Sequence, residues 1–64
     1  MQWADITDIA IELCETHGDI DPLTVNFVDL RQWVLALPGF EGDPDHCGEK
    51  LLEAIQAAWI DELD

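Results

Sequence analysis

Apolar residues recur at helical spacing in three stretches of this chain, and shorter polar stretches separate them. The first stretch predicts a helix over residues 5–17, with an apolar face that begins at Ile6 and Ile9. The second predicts a helix over residues 29–37, ended by Pro38 and Gly39. The third predicts a helix over residues 46–63 whose buried face extends to Trp59 and Leu63. The pattern is therefore typical of a mostly α fold with three main helices.

Residues 19–33 lie between the first two apolar stretches, and we expect the other elements to pack on this segment. Asp21 followed by Pro22 favours a turn or a helix start, because the proline ring fixes φ and needs no N–H partner. Val25 and Phe27 alternate as the residues of a short strand do. The segment is thus predicted to be either a short helical turn or an extended piece.

Four residues carry predictions about helix ends and local pairing. Asp5 is a candidate N-cap of the first helix, with Asp8 in the position of a capping-box acid. Asp45 is a candidate N-cap of the last helix. Arg31 is predicted to point outward and to pair with a nearby acid.

The charge of the chain is strongly one-sided. Its 64 residues are enough for one domain, residues 1–64, and they contain fifteen Asp and Glu against Arg31 and Lys50, a net charge of −13. Such a chain is repelled by a nucleic-acid backbone and by an anionic membrane surface. Its expected partners are cationic, either a basic patch on another protein or metal ions.

The acids of the first helix form a strip on the side opposite its apolar face. Asp5, Asp8, Glu12 and Glu15 lie within about 80° of one another on a helical wheel, without a Lys or Arg to relieve them. Two interpretations stay open, a solvated face and an electrostatic docking surface. Asp19 and Asp21 could extend these carboxylates into a surface that binds iron, manganese, calcium or magnesium ions weakly.

Other chemistries have little support in the sequence. A zinc site would have to combine Cys14 and His17 with the adjacent pair His46 and Cys47, which is poor ligand spacing. Neither Asp19 nor Asp43 begins a calcium loop with an acid at its twelfth position. No glycine-rich phosphate loop, nucleophile motif, signal peptide or membrane span is evident. We expect a cytoplasmic protein with reduced thiols.

The order of several short motifs resembles one family along nearly the whole chain. The motifs are Trp3-x-Asp5, Asp19-Ile20-Asp21-Pro22-x-x-Val25-x-Phe27-x-Asp29-Leu30-x-x-Trp33-Val34, Leu37-x-x-Phe40, Asp43-Pro44, and Glu49-Lys50-x-Leu52-Glu53-Ala54-Ile55-Gln56-x-x-Trp59-x-Asp61-Glu62. Together they resemble the small acidic iron–sulfur assembly proteins of the IscX (YfhJ) family. Val28 departs from the Thr-like helix cap expected in that position.

The resemblance implies a small winged-helix-like domain and a non-enzymatic role beside the cysteine desulfurase IscS. Members of the family resemble adaptors that bind iron (Fe) weakly through surface carboxylates and dock on a basic patch of the desulfurase. Other iron–sulfur assembly components are further expected partners, and the protein itself is expected to be a monomer. The metal-binding candidates are Asp5, Asp8, Glu12, Asp19 and Asp21. The partner-binding candidates are Asp5, Asp8, Glu12, Glu15, Asp29 and Arg31.

Two other functions remain alternatives. An acidic interaction module, such as a nucleic-acid mimic that inhibits a basic protein, would share the charge but have no iron function. An enzyme that uses paired carboxylates would need a formed pocket.

Overall fold

Three α-helices make up most of the fold, as the apolar periodicity predicts. The computed structural model describes residues 1–63, in which α1 spans Ile6–Thr16, α2 spans Phe27–Leu35 and α3 spans Glu49–Glu62. Single 3₁₀ turns at Pro22–Thr24 and Pro44–His46 lie in the two connections. Residues 1–63 contain no strand, so the mostly α class is confirmed there, whereas the winged-helix likeness that the resemblance implies is not. Within the same residues, no helix has both the length and the apolar character that crossing a membrane requires.

The helices enclose one hydrophobic core, in which α1 packs chiefly on α3. Its centre consists of fully buried aliphatic side chains around Trp59, which is also fully buried. The core residues are Trp3, Ile9, Ala10, Leu13, Leu30, Val34, Leu37, Leu52, Ile55 and Trp59. Leu63, predicted to be buried, is 46% exposed because α3 ends before it, at Glu62. Burial of the core side chains removes apolar surface from water, and this is the main contribution to the stability of so short a chain.

The segment between α1 and α2 contains a 3₁₀ turn followed by extended backbone at Val25 and Asn26. Val25 and Phe27 do not form the short strand that their alternation suggests, because Phe27 already belongs to α2. The Asp21 side chain accepts a hydrogen bond from the N–H of Leu23 at 3.0 Å and so caps the 3₁₀ turn. Phe27 is the first residue of α2, because the Asn26 side chain accepts the N–H of Asp29 at 2.8 Å. The second helix therefore begins two residues before the predicted start at 29 and ends at Leu35.

Of the two predicted N-caps, Asp5 occupies the predicted position and Asp45 does not. Asp5 is the N-cap residue of α1, but its carboxylate accepts the N–H of Gln2 at 2.9 Å and makes no cap hydrogen bond to the helix. Asp45 lies inside the second 3₁₀ turn, where Asp43 accepts its N–H at 2.9 Å. Because this turn occupies Pro44–His46, α3 begins later in the chain than the predicted residue 46. Its N-cap is Gly48 and its first residue is Glu49.

The N-terminal residues are fastened to the loop between α2 and α3. The indole N–H of Trp3 donates to the carbonyl of Asp43 at 2.7 Å, and its ring meets Phe40 edge-on at 4.8 Å. The amino group of Met1 donates to the carbonyl of Gly39 at 2.9 Å. These contacts hold the start of α1 against a loop that is forty residues away in the chain.

A candidate partner-binding and metal-binding surface

The α1 strip, defined as Asp5, Asp8, Glu12 and Glu15, lies on the outer side of the first helix. Asp5, Asp8 and Glu15 are exposed and Glu12 is half-buried. Ile9, Ala10 and Leu13 on the opposite side are fully buried. The helical turns of α1 thus place the strip in a line facing solvent, with spacings of three, four and three residues.

No cationic side chain within residues 1–63 neutralises the α1 strip. Among the residues that the structure describes, the one close approach between an acidic and a basic side chain is that of His46 to Asp43, at 3.8 Å between Nδ1 and Oδ2. Within that part of the chain, Asp8, Glu12 and Glu15 accept no hydrogen bond through their carboxylates. The strip is therefore a row of hydrated carboxylates whose charge remains available to a partner.

This crowding predicts that added NaCl raises the melting temperature of the protein. Like charges three or four residues apart on a helix cost a few tenths of a kcal/mol for each pair, and ions screen that repulsion. Between about 10 mM and about 150 mM NaCl, where the Debye length falls from about 30 Å to about 8 Å, we expect an upward shift of a few degrees, measured by circular dichroism. The neutralised variant Asp8→Asn with Glu12→Gln should show a smaller shift. An equal melting temperature at both concentrations would contradict this prediction.

The remaining acidic candidates lie in the connection between α1 and α2, which contains Asp19 and Asp21, and in the first turn of α2, which contains Asp29. Asp19, Asp21 and Asp29 are all exposed. Asp21 uses Oδ1 for the cap of the 3₁₀ turn, and Asp29 Oδ2 accepts a hydrogen bond from the Asn26 amide at 3.2 Å. Two of these three carboxylates therefore already stabilise local structure.

Within residues 1–63, the salt bridge predicted for Arg31 is not found. Arg31 is half-buried, and its Nη2 donates to the backbone carbonyl of Pro44 at 3.1 Å. The hydrogen bond links α2 to the second 3₁₀ turn. Arg31 therefore has a structural contact in addition to its expected place on the partner-binding surface.

The predicted metal-binding residues are not gathered into a compact site. Within residues 1–63, no three His, Cys, Asp or Glu side chains come together closely enough to hold a metal ion as a group. No pocket is present in the described part of the chain either. The chemistry of the donors is still that of hard oxygen ligands, which suits hydrated cations held by one or two carboxylates.

The residues considered for zinc take part in other contacts. The imidazole of His17 stacks on the indole of Trp33, with ring centres 4.6 Å apart and planes 19° apart. Cys14 and Cys47 are unbridged and half-buried against the core. Trp33 is also half-buried, packs against the core and meets the Trp59 indole edge-on, with ring centres 6.4 Å apart.

These features describe a small, strongly acidic three-helix protein with an outward row of carboxylates. The family model described as iron-sulphur cluster assembly matches residues 1–64, and the chain belongs to that family, which is the IscX family. An uncharacterized protein of Pseudomonas aeruginosa is 58% identical over 64 residues, which cover 100% of this chain and 97% of that protein. Membership gives the protein a role in iron–sulfur cluster assembly.

Two surface features were missed by reasoning from the sequence. Leu23 and Val28 are 73% and 67% exposed, although an apolar residue in a central segment is expected to face the core. The cap at Asn26 was also missed, and its signal was present as an Asn three residues before an acid. The exposed apolar pair had no comparable signal, because the side on which the core lies is set by the tertiary packing.

Proposed function

We propose that this protein is a non-enzymatic adaptor of iron–sulfur cluster assembly that docks on the cysteine desulfurase IscS. The α1 strip, together with Asp29 and Arg31 of α2, would contact a basic patch of the enzyme. The adaptor would act in the cytoplasm as a monomer, since a charge of −13 opposes self-association. Once bound to the desulfurase, the adaptor would also contact other components of the iron–sulfur assembly machinery.

The observation that carries the proposal is the unneutralised α1 strip in a member of an iron–sulfur assembly family. An acidic row costs stability, and within residues 1–63 the fold supplies no cationic partner that offsets this cost. A basic protein surface would supply one. Family membership favours a partner in the assembly machinery over an unrelated basic protein.

Long-range attraction would act mainly on the rate of encounter. Complementary charges can raise association rate constants from about 10⁵–10⁶ M⁻¹s⁻¹ to about 10⁸–10⁹ M⁻¹s⁻¹ at low salt. Rim charges contribute less to the lifetime of a complex than buried contacts do. The adaptor would therefore bind its partner rapidly and in a salt-dependent way.

We further propose that iron ions bind weakly to the carboxylates of Asp5, Asp8, Glu12, Asp19 and Asp21. Hard oxygen donors suit such binding, and waters would complete the coordination because no three-carboxylate group exists within residues 1–63. Binding would thus be weak, poorly selective and spread along the surface.

Docking is tested by NMR titration of the labelled protein with the cysteine desulfurase of the same organism. Perturbed backbone signals should include α1 around Asp8 and Glu12 and the start of α2 around Asp29, and they should leave the outer side of α3 around Glu53 unchanged. Perturbations confined to α3 would place the interface elsewhere. Absence of binding at low salt would remove the proposed partner and favour an acidic module that acts on another basic protein.

Iron binding is tested separately by adding Fe²⁺ to the labelled protein without oxygen. A paramagnetic ion broadens the signals of nearby residues, so the broadening should follow Asp5, Asp8, Glu12, Asp19 and Asp21. The variant Asp8→Asn with Glu12→Gln should lose broadening on α1, whereas Glu49→Gln with Glu53→Gln should keep it. Equal broadening in both variants would mean that the α1 strip does not hold the ion.

A further inference from the structure

The most exposed large apolar side chains of residues 1–63 belong to one short segment. Leu23 is 73% exposed and Val28 is 67% exposed, whereas Leu63 and Ile11 are 46% and 39% exposed. Leu23 lies in the first 3₁₀ turn and Val28 in the first turn of α2. They are five positions apart in the chain, so their Cα atoms lie no further than about 17 Å apart.

The fold accounts for the other residues of this segment but not for this pair. Pro22 is fully buried, and Val25 and Phe27 pack against the core, so the inner side of the segment is already occupied. Leu23 and Val28 therefore project outward, and their apolar side chains contribute little to the core. A single exposed apolar side chain is ordinary on a protein surface, but two that are exposed within one short segment offer apolar area to a partner.

The charges beside the pair indicate what would cover it. Asp21 and Asp29 border Leu23 and Val28 in the chain, and both are exposed. Asp21 uses Oδ1 to cap the 3₁₀ turn and Asp29 uses Oδ2 to accept a hydrogen bond from the Asn26 amide, which leaves one oxygen of each exposed group without a hydrogen bond within residues 1–63. The complementary surface is an apolar depression bordered by Lys or Arg. A second copy of this chain would instead bring its own carboxylates against these two.

We propose that Leu23 and Val28 are the apolar anchors with which this protein holds its basic partner. The inference rests on the proposed function and names the residues that determine the lifetime of the complex. The α1 strip accelerates encounter, and the anchor pair slows dissociation by burying apolar surface in the partner's depression. Such division is common, because a few buried side chains carry most of the binding energy of an interface.

The test compares the kinetics of binding to the immobilised cysteine desulfurase for three proteins. The variant Leu23→Ser with Val28→Thr should dissociate about tenfold faster than the unmodified protein, with an association rate constant within about twofold. The control Leu63→Ser removes an exposed leucine from the end of α3 and should leave both constants unchanged. Circular dichroism and thermal unfolding should be alike for all three, since these side chains make little core contact.

The outcomes separate this inference from the proposed function. If the unmodified protein binds and the double variant dissociates at the same rate, the anchor pair is not in the interface and the inference is overturned. If the unmodified protein does not bind at all, the proposed function fails, and this inference fails with it. If the unmodified protein forms dimers in sedimentation and the double variant does not, the pair serves a second copy, which also overturns the inference.

Discussion

The double reversal Asp8→Lys with Glu12→Lys should weaken binding to the cysteine desulfurase by at least about tenfold at low salt. These two acids are one helical turn apart on α1, and no cation within residues 1–63 pairs with either. Replacing one acid with Lys raises the net charge by two, so the double variant has a net charge of −9 instead of −13. Two repulsive contacts would replace two attractive ones on the basic patch. Isothermal titration calorimetry measures the loss.

The matched control is the reversal Glu49→Lys with Glu53→Lys on α3. These acids are exposed, have the same four-residue spacing and give the same net charge of −9. The control should bind within about threefold of the unmodified protein, because only the long-range field changes. Equal losses in both variants would mean that net charge alone governs binding. An unaffected Asp8 and Glu12 variant would mean that α1 is the wrong surface.

Replacing Gly42 with Ser should destabilise the protein by about 1–3 kcal/mol, as overpacking of a closely packed site does. A Cβ atom at Gly42 would lie 2.5 Å from Phe40 Cζ and 2.7 Å from Trp3 Cδ1. Neither ring can move freely, because they contact each other edge-on and the Trp3 indole is hydrogen-bonded to Asp43. Thermal unfolding should show a lower melting temperature, by about 4–8 °C for each kcal/mol lost in a chain of this size.

The same substitution at Gly48 should have the opposite sign. Nothing lies within 4 Å of a Cβ atom at that glycine, whose φ of −100° suits any residue. Gly48 is the N-cap of α3 and makes no side-chain cap, so a Ser hydroxyl would add one and stabilise the protein by about 0.5 kcal/mol. If Gly42→Ser were as stable as Gly48→Ser, the packing between Trp3, Phe40 and the loop would not matter for stability.

The three helices could be predicted because each buries a face whose spacing is visible in the sequence. Their starts were harder to predict, because side-chain caps decide them. Asp21-Pro22 and Asp43-Pro44 carry the same signal, and both begin a 3₁₀ turn in the structure. Applying the signal at the second site as well would have moved the predicted start of α3 beyond Asp45.

The α1 strip was predictable in the same way, since a helix with one apolar face turns its other residues outward together. The contact of Arg31 was not, because the Pro44 carbonyl that it meets lies thirteen residues further along the chain. The exposure of Leu23 and Val28 likewise depends on how the segment between α1 and α2 rests on α3. Sequence patterns describe local faces, whereas these features follow from which elements come together in the fold.

The most direct test of the account is the affinity of the unmodified protein for the cysteine desulfurase, measured by calorimetry at low salt and at about 150 mM NaCl. We predict a one-to-one complex at low salt whose dissociation constant rises at least about tenfold at the higher concentration, because docking depends on exposed carboxylates. No complex at low salt, or an affinity that salt leaves unchanged, would contradict docking through the α1 strip.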